Sequence, residues 1–248
     1  MPEFQSFDGV TLHYDLEGEG APVVLLHGFA ADTNLNWRQP GIIQALTAAG
    51  RRTIGLDARG HGMSEKCYDP SAYANDAMVA DVGALFDHLQ LDGADLVGYS
   101  MGSATALRFA RVDSRLRRLV LGGTDGNLAD TTEEMAERGN RIADGLDADD
   151  PEGIADRVAR RFRRFADSTG ADRRALAAIQ RGRRRVPVPK DSLSQIQVPT
   201  LVVCGDADVS PYELAAALPR GQARLVPGDH LSAVLEPAMA AAIVEFLA

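Results

Sequence analysis

The stretch Ala94-Asp95-Leu96-Val97-Gly98-Tyr99-Ser100-Met101-Gly102-Ser103-Ala104-Thr105-Ala106-Leu107-Arg108-Phe109-Ala110 decides how the rest of the chain is read. Residues 94–97 have the composition of a short buried strand, and residues 103–110 carry helical spacing. Between them lies Gly-x-Ser-x-Gly, centred on Ser100. A turn that converts strand to helix over so few residues leaves no room for flanking side chains, so both flanks are glycine. The serine at its apex takes a strained backbone conformation and projects from the end of the sheet. The helix that follows aims its free N–H groups at the same point. Such a serine suits nucleophilic attack.

A nucleophilic serine needs a base, and the base needs an acid to orient it. Thr200-Leu201-Val202-Val203-Cys204 reads as a buried strand and is followed by Gly205-Asp206-Ala207-Asp208-Val209-Ser210-Pro211. Ala223-Arg224-Leu225-Val226 reads as another and is followed by Pro227-Gly228-Asp229-His230. In a parallel sheet the C-terminal strand ends share one edge, where open α/β sheets place their sites. The candidates therefore converge on Ser100, and their chain order is Ser, Asp, His. Asp206, and Asp125 after the strand Leu119-Val120-Leu121, are rival acids. His27 and His61 fit loop organisation better than base chemistry. His13 and His88 are placed on surface elements, and Trp37 is expected to pack beside the helical segment described below.

These residues resemble those of the serine-nucleophile α/β-hydrolases, over nearly the whole chain. His27-Gly28-Phe29 follows the strand Val23-Val24-Leu25-Leu26, where that family carries its oxyanion loop. Asp57-Ala58-Arg59-Gly60-His61-Gly62-Met63-Ser64 is similar to the family's Asp-x-Arg-Gly-His-Gly-x-Ser loop. Phe after His-Gly and Met after the serine look most like small bacterial esterases and the cofactor-free perhydrolases and haloperoxidases. The resemblance implies a mostly parallel eight-stranded sheet with helices on both faces and a helical lid. It places the acid on Asp208, the base on His230, and the oxyanion donors on the backbone N–H groups of Phe29 and Met101. It implies no organic cofactor and no metal. Haloalkane dehalogenases and epoxide hydrolases carry aspartate at the nucleophile position, against which Ser100 argues.

The remaining sequence agrees with an α/β fold. Residues 10–16 alternate like a half-exposed antiparallel strand, 52–56 form a further strand, and helices are expected over 37–49, 75–89 and 233–246. Strands alternating with helices imply a sheet covered on both faces. From about Asp125 to Pro189 this rhythm breaks. Eleven arginines fall between Arg157 and Arg185 against only Asp167 and Asp172. The chain thus divides into core (1–124), lid (125–189) and core (190–248). The arginine run suits the solvated face of lid helices whose Phe162, Phe165, Leu176 and Ile179 turn inward. The competing reading has one or two arginines holding an anionic substrate.

With 248 residues, 45% hydrophobic and 25% charged, the composition is that of an ordinary globular domain. A net charge of −9 gives no support to nucleic-acid binding. No apolar run reaches the length of a membrane span. Met1-Pro2-Glu3-Phe4 opens without a leader pattern, so a cytoplasmic location is expected. Cys67 in a loop and Cys204 in a core strand are not expected to pair. The partner expected is a small molecule, with no nucleic acid and no membrane. The leading function is hydrolysis of a carboxylic ester, lactone or thioester with a small to medium, largely apolar acyl group. Alternatives are carbon–carbon hydrolase or lyase chemistry on an anionic or diketone substrate, perhydrolysis, and a ligand receptor without turnover.

Overall fold

The computed structural model describes residues 2–126, 132–183 and 187–248. Eight strands run β1 (Glu3–Gln5), β2 (Thr11–Glu17), β3 (Ala21–Leu26), β4 (Arg51–Leu56), β5 (Ala94–Tyr99), β6 (Leu116–Gly122), β7 (Thr200–Gly205) and β8 (Gly221–Val226). They form one sheet in the order β1-β2-β4-β3-β5-β6-β7-β8. β1–β2 and β2–β4 pair antiparallel, and every later pairing is parallel.

Successive strand residues point to opposite faces, and the central strands are apolar at both sets of positions. Val24 and Leu26 of β3, Leu96 of β5 and Leu119 and Leu121 of β6 bury against one helical layer. That layer is α2 (Ala77–His88), α3 (Met101–Phe109) and α8 (Tyr212–Ala217). Val23, Leu25, Val97, Val120 and Val203 bury against α1 (Ile42–Ala48) and α9 (Pro237–Leu247) on the other face. Between β6 and β7 lie α4 (Thr132–Asp147), α5 (Arg157–Thr169), α6 (Arg173–Gly182) and α7 (Lys190–Leu193). Ile142, Leu146, Leu176 and Ile179 from these helices pack on Phe29, Tyr73, Met78 and Met101, over the C-terminal edge of the sheet.

The structure differs from the sequence reading at several points. The helix expected over 37–49 is a π-helical turn, Asn34–Arg38, separated from α1 by Gly41 in the left-handed region (φ 81°). The Trp37 indole goes down into the α1/α9 face of the core, 1% exposed, and does not pack beside the helical segment. His13 is 3% exposed and not on the surface, because the short β1 covers β2 and makes it an interior strand. The last helix begins at Pro237, which lacks an N–H and so suits a first helical position, leaving Ala233–Leu235 as a separate 3-10 turn. Arg184, Arg185 and Val186 lie outside the described residues. No helix among the described residues is long and apolar enough to cross a membrane.

Candidate active site

Ser100 stands at the end of β5 with φ 52° and ψ −106°, a conformation costly for any residue but glycine. Its neighbours are packed too tightly to relax it. A Cβ on Gly98 would lie 2.5 Å from the Gly102 carbonyl, and one on Gly102 only 2.0 Å from Leu26 O. The Ser100 N–H donates to Gly122 O at 2.8 Å, and the Ser103 hydroxyl bonds Gly98 O and Gly122 O beneath it. The strained turn is thereby pinned from β6.

The structure brings Ser100, His230 and Asp208 together, from loops that follow β5, β8 and β7. His230 Nε2 lies 2.9 Å from Ser100 Oγ, and His230 Nδ1 lies 3.0–3.1 Å from both Asp208 oxygens. A carboxylate can only accept, so Nδ1 carries the proton and Nε2 is free to accept from the serine hydroxyl. The Asp208 side chain is 6% exposed and His230 34%, so the carboxylate is shielded while the imidazole reaches the cavity.

Neither rival carboxylate is the one that bonds His230 Nδ1. Asp206 accepts from Gly228 N–H at 3.0 Å while its own N–H donates to Val226 O, tying the β7 and β8 loops together. Asp125 lines the cavity beside Ser100, and Asp208 is the carboxylate that His230 Nδ1 bonds.

His27 and His61 are buried beside the loop that carries Gly28 and Phe29. His27 Nε2 accepts from Ala58 N–H at 3.0 Å, so Nδ1 donates to Gly28 O at 2.8 Å. The two imidazoles stack edge-on with centroids 5.0 Å apart, and His61 meets the Phe29 ring at 5.8 Å. Burial, with His27 beside it, holds the His61 imidazole well below its ordinary pKa, so it is neutral. Asp57 accepts from the N–H groups of Thr33 and Met63 and staples the two loops together. Burial opposes its charge, but His27 and those N–H donors bring its pKa below the usual carboxylate value. Met101 is the first residue of α3, so its N–H has no partner within the helix. Phe29 sits beside it in the same apolar cluster.

Two cavities of about 220 and 230 Å³ adjoin Ser100 and His230, and Phe29 and Phe162 line both. These two rings meet edge to face at 5.4 Å and stand between the cavities. The first is mixed, with Tyr73, Thr105, Ile142, Gln180 and Arg183 in its wall. The second is mostly apolar, walled by Leu35, Phe165, Leu231, Val234 and Leu235.

The arginine run faces mainly outward. Arg161 pairs with Asp229 at 2.9 Å and Arg164 with Glu152 at 2.7 Å, while Arg181 bonds Asp144 and Asp147. Arg163 departs from the expected solvated face: it is 4% exposed, bonds Asp167 and caps the Ala148 carbonyl. Arg183 is the described arginine of the run that lines the first cavity.

Three contributors to the site are not singled out by the sequence reading. Tyr99 donates its hydroxyl to His230 O at 2.8 Å. Asp229 accepts from the N–H groups of Leu231 and Ser232 and from the Ser232 hydroxyl, folding the loop that presents His230. Ser232, Arg161 and the Leu231 N–H hold the Asp229 carboxyl far below the usual range. Asn36 accepts the Gly28 N–H at 2.8 Å and so braces the loop that carries Phe29. Only an Asx-type turn at Asp229 could have been guessed, from its place before a serine.

Comparison with known proteins places this architecture. Residues 21–227 match the family model described as alpha/beta hydrolase fold. An AB hydrolase superfamily protein, YisY, of Bacillus subtilis is 30% identical over 88% of this chain and 87% of its own length. A putative non-heme chloroperoxidase of Synechocystis is 29% identical over the same shares of the two chains. The solved structure of a thermophilic esterase from Thermogutta terrifontis superposes with a TM-score of 0.81 at 28% identity, covering 99% of this chain and 97% of that one. The strand order, the turn at Ser100 and these matches agree, and the chain belongs to the α/β-hydrolase fold family.

Proposed function

We propose that the protein is a serine hydrolase of carboxylic esters, lactones or thioesters with a small to medium, largely apolar acyl group. The observation that carries this reading is the continuous relay from Asp208 through His230 to Ser100 Oγ, opening onto two cavities. His230 Nε2 takes the proton as Ser100 Oγ attacks the carbonyl carbon, and Asp208 stabilises the imidazolium. The tetrahedral oxyanion is held by the Phe29 and Met101 N–H groups and by the N-terminus of α3. Each such donor contributes about 3 kcal/mol to the transition state. As the C–O bond breaks, His230 returns its proton to the leaving alcohol and an acyl-enzyme remains on Ser100. Water, deprotonated by His230, then attacks the acyl carbon and releases the acid. The helices between β6 and β7 act as a lid that shapes the pocket.

A second reading, carbon–carbon bond hydrolysis of an anionic or diketone substrate, draws on Arg183 and Gln180 in the first cavity. Purified protein assayed on p-nitrophenyl esters of increasing chain length and on vinylogous diketones separates the two. The proposed function requires turnover of short and medium esters that disappears in Ser100→Ala. Turnover of diketones alone would replace it with the second reading. Binding of either class without turnover would make the protein a receptor on this fold.

A further inference from the structure

The two cavities share Ser100 and His230 and part at the Phe29–Phe162 ring pair, which lines both. Their walls differ. Asp76, Arg108, Asp125 and Arg183 line the first, together with Thr105 and Gln180, and Asp76 pairs with Arg108 there at 3.2 Å. Beyond the shared Ser100 and His230, the polar residues of the second are Asn36, Gln39 and Tyr99. Among the described residues, no Asp, Glu, Lys or Arg lines it. The surface that the first cavity offers to a ligand is accordingly the more polar of the two. Phe162 is the contribution of α5 to the division and is half-buried. Phe165, one turn further along the same helix, lines the second cavity and not the first.

An ester bound at Ser100 has two halves to place in two cavities. A hydroxyl taken into the second gives up hydrogen bonds with water and finds few replacements. An alkyl chain laid along the first strips water from charged groups and returns no bond to them. Polarity therefore sorts the two halves for as long as neither can cross, and the Phe162 ring closes the crossing. The first cavity carries both signs of charge, so it does not select a net charge. Carboxylates accept, guanidinium groups donate, and each has more hydrogen-bonding sites than one ion pair uses. A hydroxyl both donates and accepts, so it matches either.

We propose that Phe162 is a specificity-determining residue that divides the site by polarity, and that the substrate is the ester of an apolar acid with a neutral, polyhydroxylated alcohol. The acyl chain lies in the second cavity and the alcohol in the first. This rests on the ester-hydrolase reading, which makes the acyl group apolar, and adds the alcohol half to its substrate class.

The test compares matched esters on the full-length protein by acid release at constant pH 8. They are 2,3-dihydroxypropyl hexanoate, its isosteric apolar counterpart 2-methylbutyl hexanoate, and the reversed ester hexyl 2,3-dihydroxypropanoate. Each kcat/KM is divided by the ester's own hydroxide rate constant. The wild type is expected to favour the dihydroxypropyl ester over both others by about tenfold. Hexanoates of choline and of 4-hydroxybutanoate, one cationic and one anionic, should also rank below it. In Phe162→Ala the apolar alcohol half can turn into the second cavity, so the preference over the 2-methylbutyl ester should shrink to within about threefold. Phe165→Ala enlarges one cavity without opening the division and should keep the preference. Should Phe162→Ala not fold, Phe162→Leu makes the same comparison. Equal rates on the isosteric pair, a preference for the reversed or a charged ester, or a preference that the Phe162 variants leave intact would each overturn the proposal. Phosphonate labelling of wild-type Ser100 is measured alongside. Labelling and ester turnover without the polarity ranking sink this proposal alone, whereas no labelling and no ester turnover sink the hydrolase reading with it.

Discussion

The C-terminal edge of the sheet and the helical segment above it are built on different principles. At the edge, Ser100, Asp208 and His230 hang from loops whose backbone is fixed several times over, by Gly122 O beneath Ser100, Asp206 across two loops and Asp229 within the third. A shift of any of these loops would break at least one of these hydrogen bonds. The helices α4–α6 present an apolar stripe to Phe29 and Met101 and an arginine-rich face to water, held by exposed ion pairs of small individual worth. On the proposed reading, the edge would carry the chemistry and the helices would shape what enters. Mutations in the two regions should accordingly change different quantities.

The largest effect expected is at the edge. Asp208→Asn leaves the loop in place but allows the wrong imidazole tautomer and cannot stabilise the imidazolium, so kcat on a p-nitrophenyl ester should fall by about 10⁴. Asp206→Asn and Asp125→Asn should cost less than about tenfold. A crippling effect at Asp125 would move the acid to the loop after β6 and break the comparison at its base.

Within the helical segment, Arg163 and Arg164 should behave as opposites although they are adjacent. Arg163→Met removes the cap from the Ala148 carbonyl inside the structure, and should lower unfolding free energy by about 1–3 kcal/mol in urea titration. Arg164 pairs with Glu152 where both side chains are more than half exposed, and Arg164→Gln should cost under about 0.5 kcal/mol. Neither change should alter kcat on a neutral ester. Equal stability losses would mean that Arg163 is not the buried anchor described.

A further effect, confined to acid pH, is a stability signature beside the loop that carries Phe29. His61 is buried neutral, so protons bind more readily to the unfolded chain. Its contribution to stability is complete above the unfolded value of about 6.5 and is lost as pH falls below it, by up to about 1.4 kcal/mol per pH unit. His61→Gln should flatten the stability curve between about pH 6.5 and 5. The steeper loss below about pH 4, where Asp57 and Asp229 must take up protons despite their depressed values, should remain in both proteins. An unchanged slope near pH 6 would show that His61 is not held neutral.

Much of the edge was legible because its constraints are local. A strand, two glycines and a helix around Ser100 leave few foldings open, and turn residues after β7 and β8 announce where Asp208 and His230 lie. The helical segment was legible as helices, through Leu176 and Ile179 at inward spacing, yet the pattern could not distinguish Arg163 from its neighbours. That difference depends on the Ala148 carbonyl arriving from another element. Trp37, His13 and Asn36 were misread or unseen for the same reason. Their burial is decided by α9, by the three-residue β1 and by the Gly28 backbone, none of which leaves a periodic trace near them.

The central claim, that one relay at the sheet edge activates Ser100, is tested most directly by peptide mapping after reaction with a p-nitrophenyl alkylphosphonate. The account predicts one adduct per chain, on the peptide containing Ser100, absent in Ser100→Ala. Its rate of formation should be reduced at least about a hundredfold in Asp208→Asn and little changed in Asp206→Asn. An adduct on another residue, or labelling of Ser100 at the wild-type rate without the Asp208 carboxylate, would contradict it.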